Sequence, residues 1–201
     1  MDTTMSYPKP EPLNITCTST DCDNALHCFR LSKKRTDGLR NGPCRSCGTH
    51  LIDWPRLLHR DVTDVAHTFA SLKQERIRHH FWHTPFDEGA LNHARRKGKV
   101  GLREAAAARI RHSVGPAQPA RDGRQTKFEG NVLCYAQHAT ASCCRKCIAE
   151  WHGIPEGQAL TEEQIAYFTQ LILHYVDERL PHLPEVGEKV PRRRQSPPHR
   201  V

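Results

Sequence analysis

The stretch Gln137-His138-Ala139-Thr140-Ala141-Ser142-Cys143-Cys144-Arg145-Lys146-Cys147, continued by Trp151 and His152, decides how the chain is read: three thiols and two imidazoles fall within sixteen residues. Thr140 and Ser142 offer hydroxyls to the orphan N–H groups of a helix opening at the cysteines. The positive end of such a helix favours thiolate over thiol, the form that binds a cation. Sulfur and imidazole at this spacing are zinc ligands before anything else.

A second sulfur pair lies far upstream in Asn41-Gly42-Pro43-Cys44-Arg45-Ser46-Cys47-Gly48. C-x2-C followed by Gly is the form of a zinc knuckle, where two thiolates converge over a tight turn and Gly tolerates the positive φ. Two ligand sets compete. In the first, Cys44 and Cys47 join Cys144 and Cys147 in one closed, treble-clef-like site of four cysteines. The 96 residues between the pairs are a long insertion, but loop closure grows only logarithmically with length. A structural zinc contributes on the order of 10 kcal/mol against it. In the second, His138, Cys144, Cys147 and His152 suffice, with Cys143 as a replacement, while the upstream pair recruits Cys28 and His50 or His59. The form of the pairs, knuckle first and helix second, favours the first. Cys17 and Cys22, spaced C-x4-C, read as unpartnered thiols.

The remaining sequence is mostly helical, with a few short strands. Residues 1–23 are Pro-, Thr- and Asp-rich and read as a disordered lead-in. One zinc-binding domain is expected over 24–181: a knuckle extension (24–60), a basic helical segment (61–115), and the cysteine block with a final helix (116–181). Residues 182–201 read as a disordered basic tail. A short helix is expected over Asn24–Lys34, a strand at Leu51–Trp54, and one long helix from Asp61 or Thr63 to Trp82. On that helix Glu75, His79 and His83 fall at i, i+4 and i+8, a spacing that suits a cation or a polar helix face. A helix over 87–97 closes at Gly98, and another follows from Gly101 to Val114 with Leu102, Ala106 and Ile110 on one face. Val132–Gln137 reads as a strand. Thr161-Glu162-Glu163-Gln164 is a capping box for a last helix to Leu180, whose Ile165, Phe168, Leu171, Ile172 and Tyr175 face the core.

Charge narrows the function classes. The chain carries a formal net charge of +8, and between Arg95 and Lys127 ten Lys/Arg stand against two acids. Such a block attracts phosphate, which nominates Arg95, Arg96, Lys97, Lys99, Arg103, Arg111, Arg121 and Arg124 as nucleic-acid contacts. No apolar run is long enough for a transmembrane helix, and Met1-Asp2-Thr3-Thr4 lacks the marks of a signal peptide. Nine cysteines without a secretion signal indicate a reducing, cytoplasmic setting and metal rather than disulfides.

From about Arg76 to Leu180 the chain resembles a bacterial family known as domain of unknown function 4186. The resemblance is carried by Asp122-Gly123-Arg124-Gln125-Thr126, by Ala136–Cys147, by Trp151-His152-Gly153-Ile154 and by Leu160-Thr161. It implies a mainly helical domain and no established activity. Shorter members have no counterpart to Cys44 and Cys47, which favours a self-sufficient C-terminal block.

Three functions follow from these residues. A zinc-stabilised module that binds DNA or RNA uses the Arg/Lys block on phosphates. An HNH-like nuclease would use His59 as general base with Asn131 and His152 beside it. A thiol-transfer protein would use Cys144 and Cys147 as a redox couple. The first is preferred, because no acid stands immediately before His59 and no βαβ pattern precedes the Cys144 pair.

Overall fold

A computed structural model of the chain describes residues 14–30, 42–120 and 126–190. Among these residues the elements are α1 (Trp54–Leu58), α2 (Val65–Lys73), α3 (Arg76–His83), α4 (Glu88–Ser113), α5 (Val132–Ala139), α6 (Arg145–His152) and α7 (Glu162–Arg179). The fold is mainly helical. No strand forms among the described residues; isolated bridges join Asp21 with Leu26 and His27 with Glu75.

Helix α7 is the spine. Its capping box forms as the sequence predicts: the Gln164 N–H donates to Thr161 Oγ1 at 3.3 Å, and the Thr161 N–H donates back to Gln164 Oε1 at 3.0 Å. Ile165, Phe168, Leu171, Ile172 and Tyr175 are all buried, and this face packs on α4 and α5. Such a stripe at 3.6-residue spacing is what holds a helix of this length in place.

Helix α4 is broken where the sequence says it should be. Gly98 sits at φ 61°, ψ 178° inside the element. The break leaves carbonyls and N–H groups without helical partners, and the chain beyond α7 supplies them. The N–H groups of Lys99 and Val100 donate to the carbonyls of Pro184 and Glu185 at 3.0 and 3.1 Å, and the Glu188 N–H donates to the Arg95 carbonyl at 2.9 Å. The approach is so close that a Cβ on Gly98 would lie 2.6 Å from the Gly187 nitrogen.

Three local expectations fail for identifiable reasons. The long helix over 61–82 is split into a 3-10 turn, α2 and α3, because His27 wedges its backbone in. The His27 N–H donates to the Gln74 carbonyl at 2.8 Å and the Arg76 N–H donates to the His27 carbonyl at 2.9 Å. Val132–Gln137 is helix rather than strand: Asn131 Oδ1 caps α5 by accepting the Leu133 N–H at 2.8 Å, and all eight helical residues are buried. A helix buried on every side has no period to betray it. Leu51–Asp53 is irregular, and Asp53 caps α1 through the Arg56 N–H at 3.2 Å.

Candidate metal centres

Two groups of metal-ligating side chains stand out among the described residues. The first comprises Cys22, His27, Cys44 and Cys47, whose donor atoms all lie within 4.8 Å of one another. It is assembled by two turns. Asp21 and Leu26 close a tight loop through paired backbone hydrogen bonds of 2.7 and 2.9 Å, with Ala25 in the left-handed region at φ 55°. This loop, where the sequence suggested a helix, presents Cys22 and His27 together. The knuckle closes through the Gly48 N–H to the Cys44 carbonyl and the Cys44 N–H to the Thr49 carbonyl. Gly48 adopts φ 76° with open space around its missing Cβ, so backbone conformation rather than room calls for glycine.

The spacings fit a tetrahedral cation. Ligand distances of zinc place two sulfurs about 3.8 Å apart and a sulfur and an imidazole nitrogen about 3.6 Å apart. The observed separations are 3.8 Å from Cys22 Sγ to Cys44 Sγ and 3.5 Å from Cys47 Sγ to His27 Nδ1. All nine cysteines are free thiols. Burial alone would push the Cys44 thiol up, but backbone N–H groups of Cys28, Cys47 and Ser46 and the His27 ring bring it down to about 6. Fixed donors aimed at sulfur stabilise the thiolate in this way.

The second group is Cys143, Cys144 and Cys147, again within 4.8 Å. Cys144 is itself the N-cap of α6, its Sγ accepting the Cys147 N–H at 3.5 Å. Thr140 and Ser142 do not take that part: their hydroxyls bond each other at 3.0 Å, and Thr140 Oγ1 donates to the Ala136 carbonyl. Hydrogen bonds from the Cys143, Cys144 and Cys17 thiols hold Cys147 well below the usual thiol range against the opposing effect of burial. The same contacts with Cys144 and Cys147, together with burial, push Cys143 well up.

Behind this group sits a buried ion pair that sequence reasoning missed. Arg78 donates through Nη2 to Cys147 Sγ at 3.1 Å, through Nη1 to the His138 carbonyl at 2.7 Å and to Cys143 Sγ at 3.8 Å, and through Nε to Glu75 Oε2 at 3.0 Å. Trp151 Nε1 donates to the same Glu75 oxygen at 2.9 Å. Arg78 and Glu75 are 1% and 3% exposed, so the cation is committed to these partners. A guanidinium donating to ligand sulfur supplies both orientation and compensating charge.

The structure therefore places the two C-x2-C pairs in separate groups: Cys44 and Cys47 with Cys22 and His27, Cys144 and Cys147 with Cys143. The alternative ligands His138, His152 and Cys28 belong to neither. His138 Nε2 donates to the Thr126 carbonyl at 3.1 Å, and its ring stacks on Phe81. His152 Nε2 donates to the Thr140 carbonyl at 2.9 Å while Tyr167 Oη donates to its Nδ1 at 3.2 Å. Cys28 Sγ donates to the Cys17 carbonyl at 3.3 Å. In the Glu75, His79, His83 file, Glu75 turns inward and the two rings stack with centroids 3.9 Å apart. Cys22 and His27 were missed because C-x4-H in a short loop carries no periodic signal. Arg78 was hidden by its place in a run, Arg76 to His83, that looks like a solvated helix face.

The basic residues divide. Arg95, Arg96, Lys97 and Arg103 are exposed and carry no ion pair among the described residues. Lys99 faces Asp177 and Glu185 at 3.7 and 3.6 Å, and Arg111 pairs with Glu162 at 2.5 Å. Arg121 and Arg124 lie outside the described residues. A cleft of about 680 Å³ beside Cys143 and Cys144 is lined by Arg109, His112 and Lys127. Among the described residues no helix is long and apolar enough to cross a membrane.

No solved structure matches the chain. A family model described as Domain of unknown function (DUF4186) matches residues 66–177, more than half of the 201 residues. The match takes in Glu75, Arg78 and the sulfur block and leaves Cys22, His27, Cys44 and Cys47 outside. The chain belongs to the DUF4186 family.

Proposed function

We propose that this chain is a zinc-stabilised nucleic-acid-binding module, in which the metals hold shape and an arginine-rich face contacts phosphate. Four convergent donors at Cys22, His27, Cys44 and Cys47 support a structural zinc, because a closed tetrahedral set leaves no position for a reacting water. Thiolate and imidazole donors select zinc over magnesium or calcium, which take oxygen. A cytoplasmic setting fits nine free thiols.

The observation that carries the binding reading is the set Arg95, Arg96, Lys97 and Arg103 on α4, exposed and without an ion pair among the described residues. Cations with no acidic partner keep their field for an incoming polyanion. Arg109 and Lys127 line a further cleft, beside Cys143 and Cys144. An HNH-type nuclease has no comparable support. Of its three residues, Asn131 caps α5 and both ring nitrogens of His152 are engaged inside the core.

Fluorescence anisotropy on duplex DNA and RNA at several salt concentrations tests the proposal. Changing Arg95, Arg96, Lys97 and Arg103 together to Gln should weaken binding more than about tenfold and flatten the log–log salt slope by up to about 3 to 4. Binding unaffected by the quadruple change, or no binding to either duplex, would refute the phosphate-contacting face.

A further inference from the structure

The sulfur block at the start of α6 gathers three donors, Cys143, Cys144 and Cys147, and a tetrahedral zinc takes four. Among the described residues, no fourth His, Cys, Asp or Glu brings a ligand atom within 4.8 Å of all three. His138 and His152 hold backbone carbonyls. Glu75 is taken by Arg78 and Trp151, and Glu150 pairs with Arg30 at 2.8 Å. A zinc with three protein ligands keeps its last position for water or an incoming molecule.

The two sides of the block differ. On the core side, Arg78 donates to Cys147 Sγ at 3.1 Å and reaches Cys143 Sγ at 3.8 Å. On the other side, Cys143 and Cys144, but not Cys147, line the cleft of about 680 Å³, a size that suits a small organic molecule. The cleft wall is tied to the sulfurs, because Thr126 Oγ1 donates to the Cys143 carbonyl at 2.8 Å. Arg109 is fixed there by donating through Nε to Gln137 Oε1 and through Nη2 to Cys134 Sγ at 3.3 Å. Glu129 also lines the cleft, yet among the described residues neither Arg109 nor Lys127 forms an ion pair. Such cations favour a ligand that carries negative charge. Three thiolates on a divalent cation leave one negative charge, which Arg78 offsets from the core side, so an anion can approach from the cleft.

We propose that a zinc held by Cys143, Cys144 and Cys147 is an open centre whose fourth position faces the Arg109–Lys127 cleft and takes the sulfur of a small anionic thiol. A soft, sulfur-rich site favours a thiolate as its last ligand; the thiol proton passes to solvent and the sulfur replaces water on the metal. The proposal rests on the zinc reading and extends it. The Cys22 group has four protein donors and no room for a guest, whereas the α6 block binds and releases one.

The test uses the full-length protein loaded with cobalt, and the probes are thioglycolate, neutral 2-mercaptoethanol and acetate. Thioglycolate should raise the thiolate-to-cobalt charge-transfer intensity saturably, with one molecule bound per chain by native mass spectrometry. The response should persist in Cys44→Ser, which keeps only the α6 metal, and acetate should reproduce it only at far higher concentration. Lys127→Gln, a change at an exposed side chain, should weaken thioglycolate about two- to fivefold and leave 2-mercaptoethanol unchanged. Two cobalt ions whose bands neither thiol moves, or cobalt stripped by the thiol rather than joined by it, would overturn the open centre while leaving the zinc reading intact. Acetate binding as tightly as thioglycolate would overturn the sulfur ligand, and equal effects of Lys127→Gln on both thiols would overturn the role of the cleft. Wild type holding no cobalt would overturn the zinc reading itself. If Cys44→Ser does not fold, the wild-type stoichiometry decides: one thioglycolate per two metals supports the proposal, and none or two contradicts it.

Discussion

The two sulfur groups solve one problem in opposite ways. The knuckle group is built from loops: its donors sit on turns, Cys47 is exposed, and backbone N–H groups near Cys44 favour its thiolate. The helix-start group is built from the core: Cys143 and Cys147 are buried, and a side chain from another helix, Arg78, faces the sulfurs. A loop site takes its shape from separate local turns and from the cation that would join them. A core site depends on packing, so its neighbours matter as much as its ligands.

The largest expected effect separates the two. Cys147→Ser should unfold the family domain or leave it without cooperative melting, because it removes a buried sulfur from the first turn of α6. Cys47→Ser should release the N-terminal extension to proteolysis while residues 66–177 keep their hydrogen-exchange protection. Equal damage from both changes would break the contrast. Next in size is Arg78→Met, which strands Glu75 as a buried charge and removes donors from two sulfurs. A loss of about 3–5 kcal/mol in urea unfolding is expected, and a loss below about 1 kcal/mol would show the ion pair to be dispensable.

The smallest effect concerns pH. Burial, foremost, holds His138 and His152 down at about 4, whereas an unfolded histidine titrates near about 6.5. The unfolded chain therefore takes up protons first as pH falls. The stability each neutral ring contributes is full above about pH 6.5 and is lost on the way down to about pH 4. At about pH 5 the loss is about 2 kcal/mol per histidine. Proton competition for the thiolates acts in the same direction, so the informative measurement is the difference between wild type and His152→Gln. The variant should show a pH dependence shallower by one histidine's share; identical slopes would remove His152 from the account.

Much of the frame was legible in the sequence. The capping box at Thr161, the break at Gly98 and the core face of α7 were each signalled by short-range chemistry, and the fold obeys it. The knuckle turn at Gly48 was legible for the same reason. What was not legible depends on contacts distant in sequence. The partners of Cys44 and Cys47 come from a loop whose geometry rests on a left-handed Ala25, a conformation no residue preference announces. The break between α2 and α3 is imposed by His27, which lies far upstream of both helices. Arg78 looks like surface because its neighbours are charged, and only the assembled core shows where its guanidinium goes.

Native mass spectrometry of the full chain tests the central claim most directly. Two zinc ions per chain are predicted, with Cys44→Ser and Cys144→Ser each losing one and keeping the other. A single zinc lost completely by either substitution would contradict two separate centres and restore one site shared by both pairs.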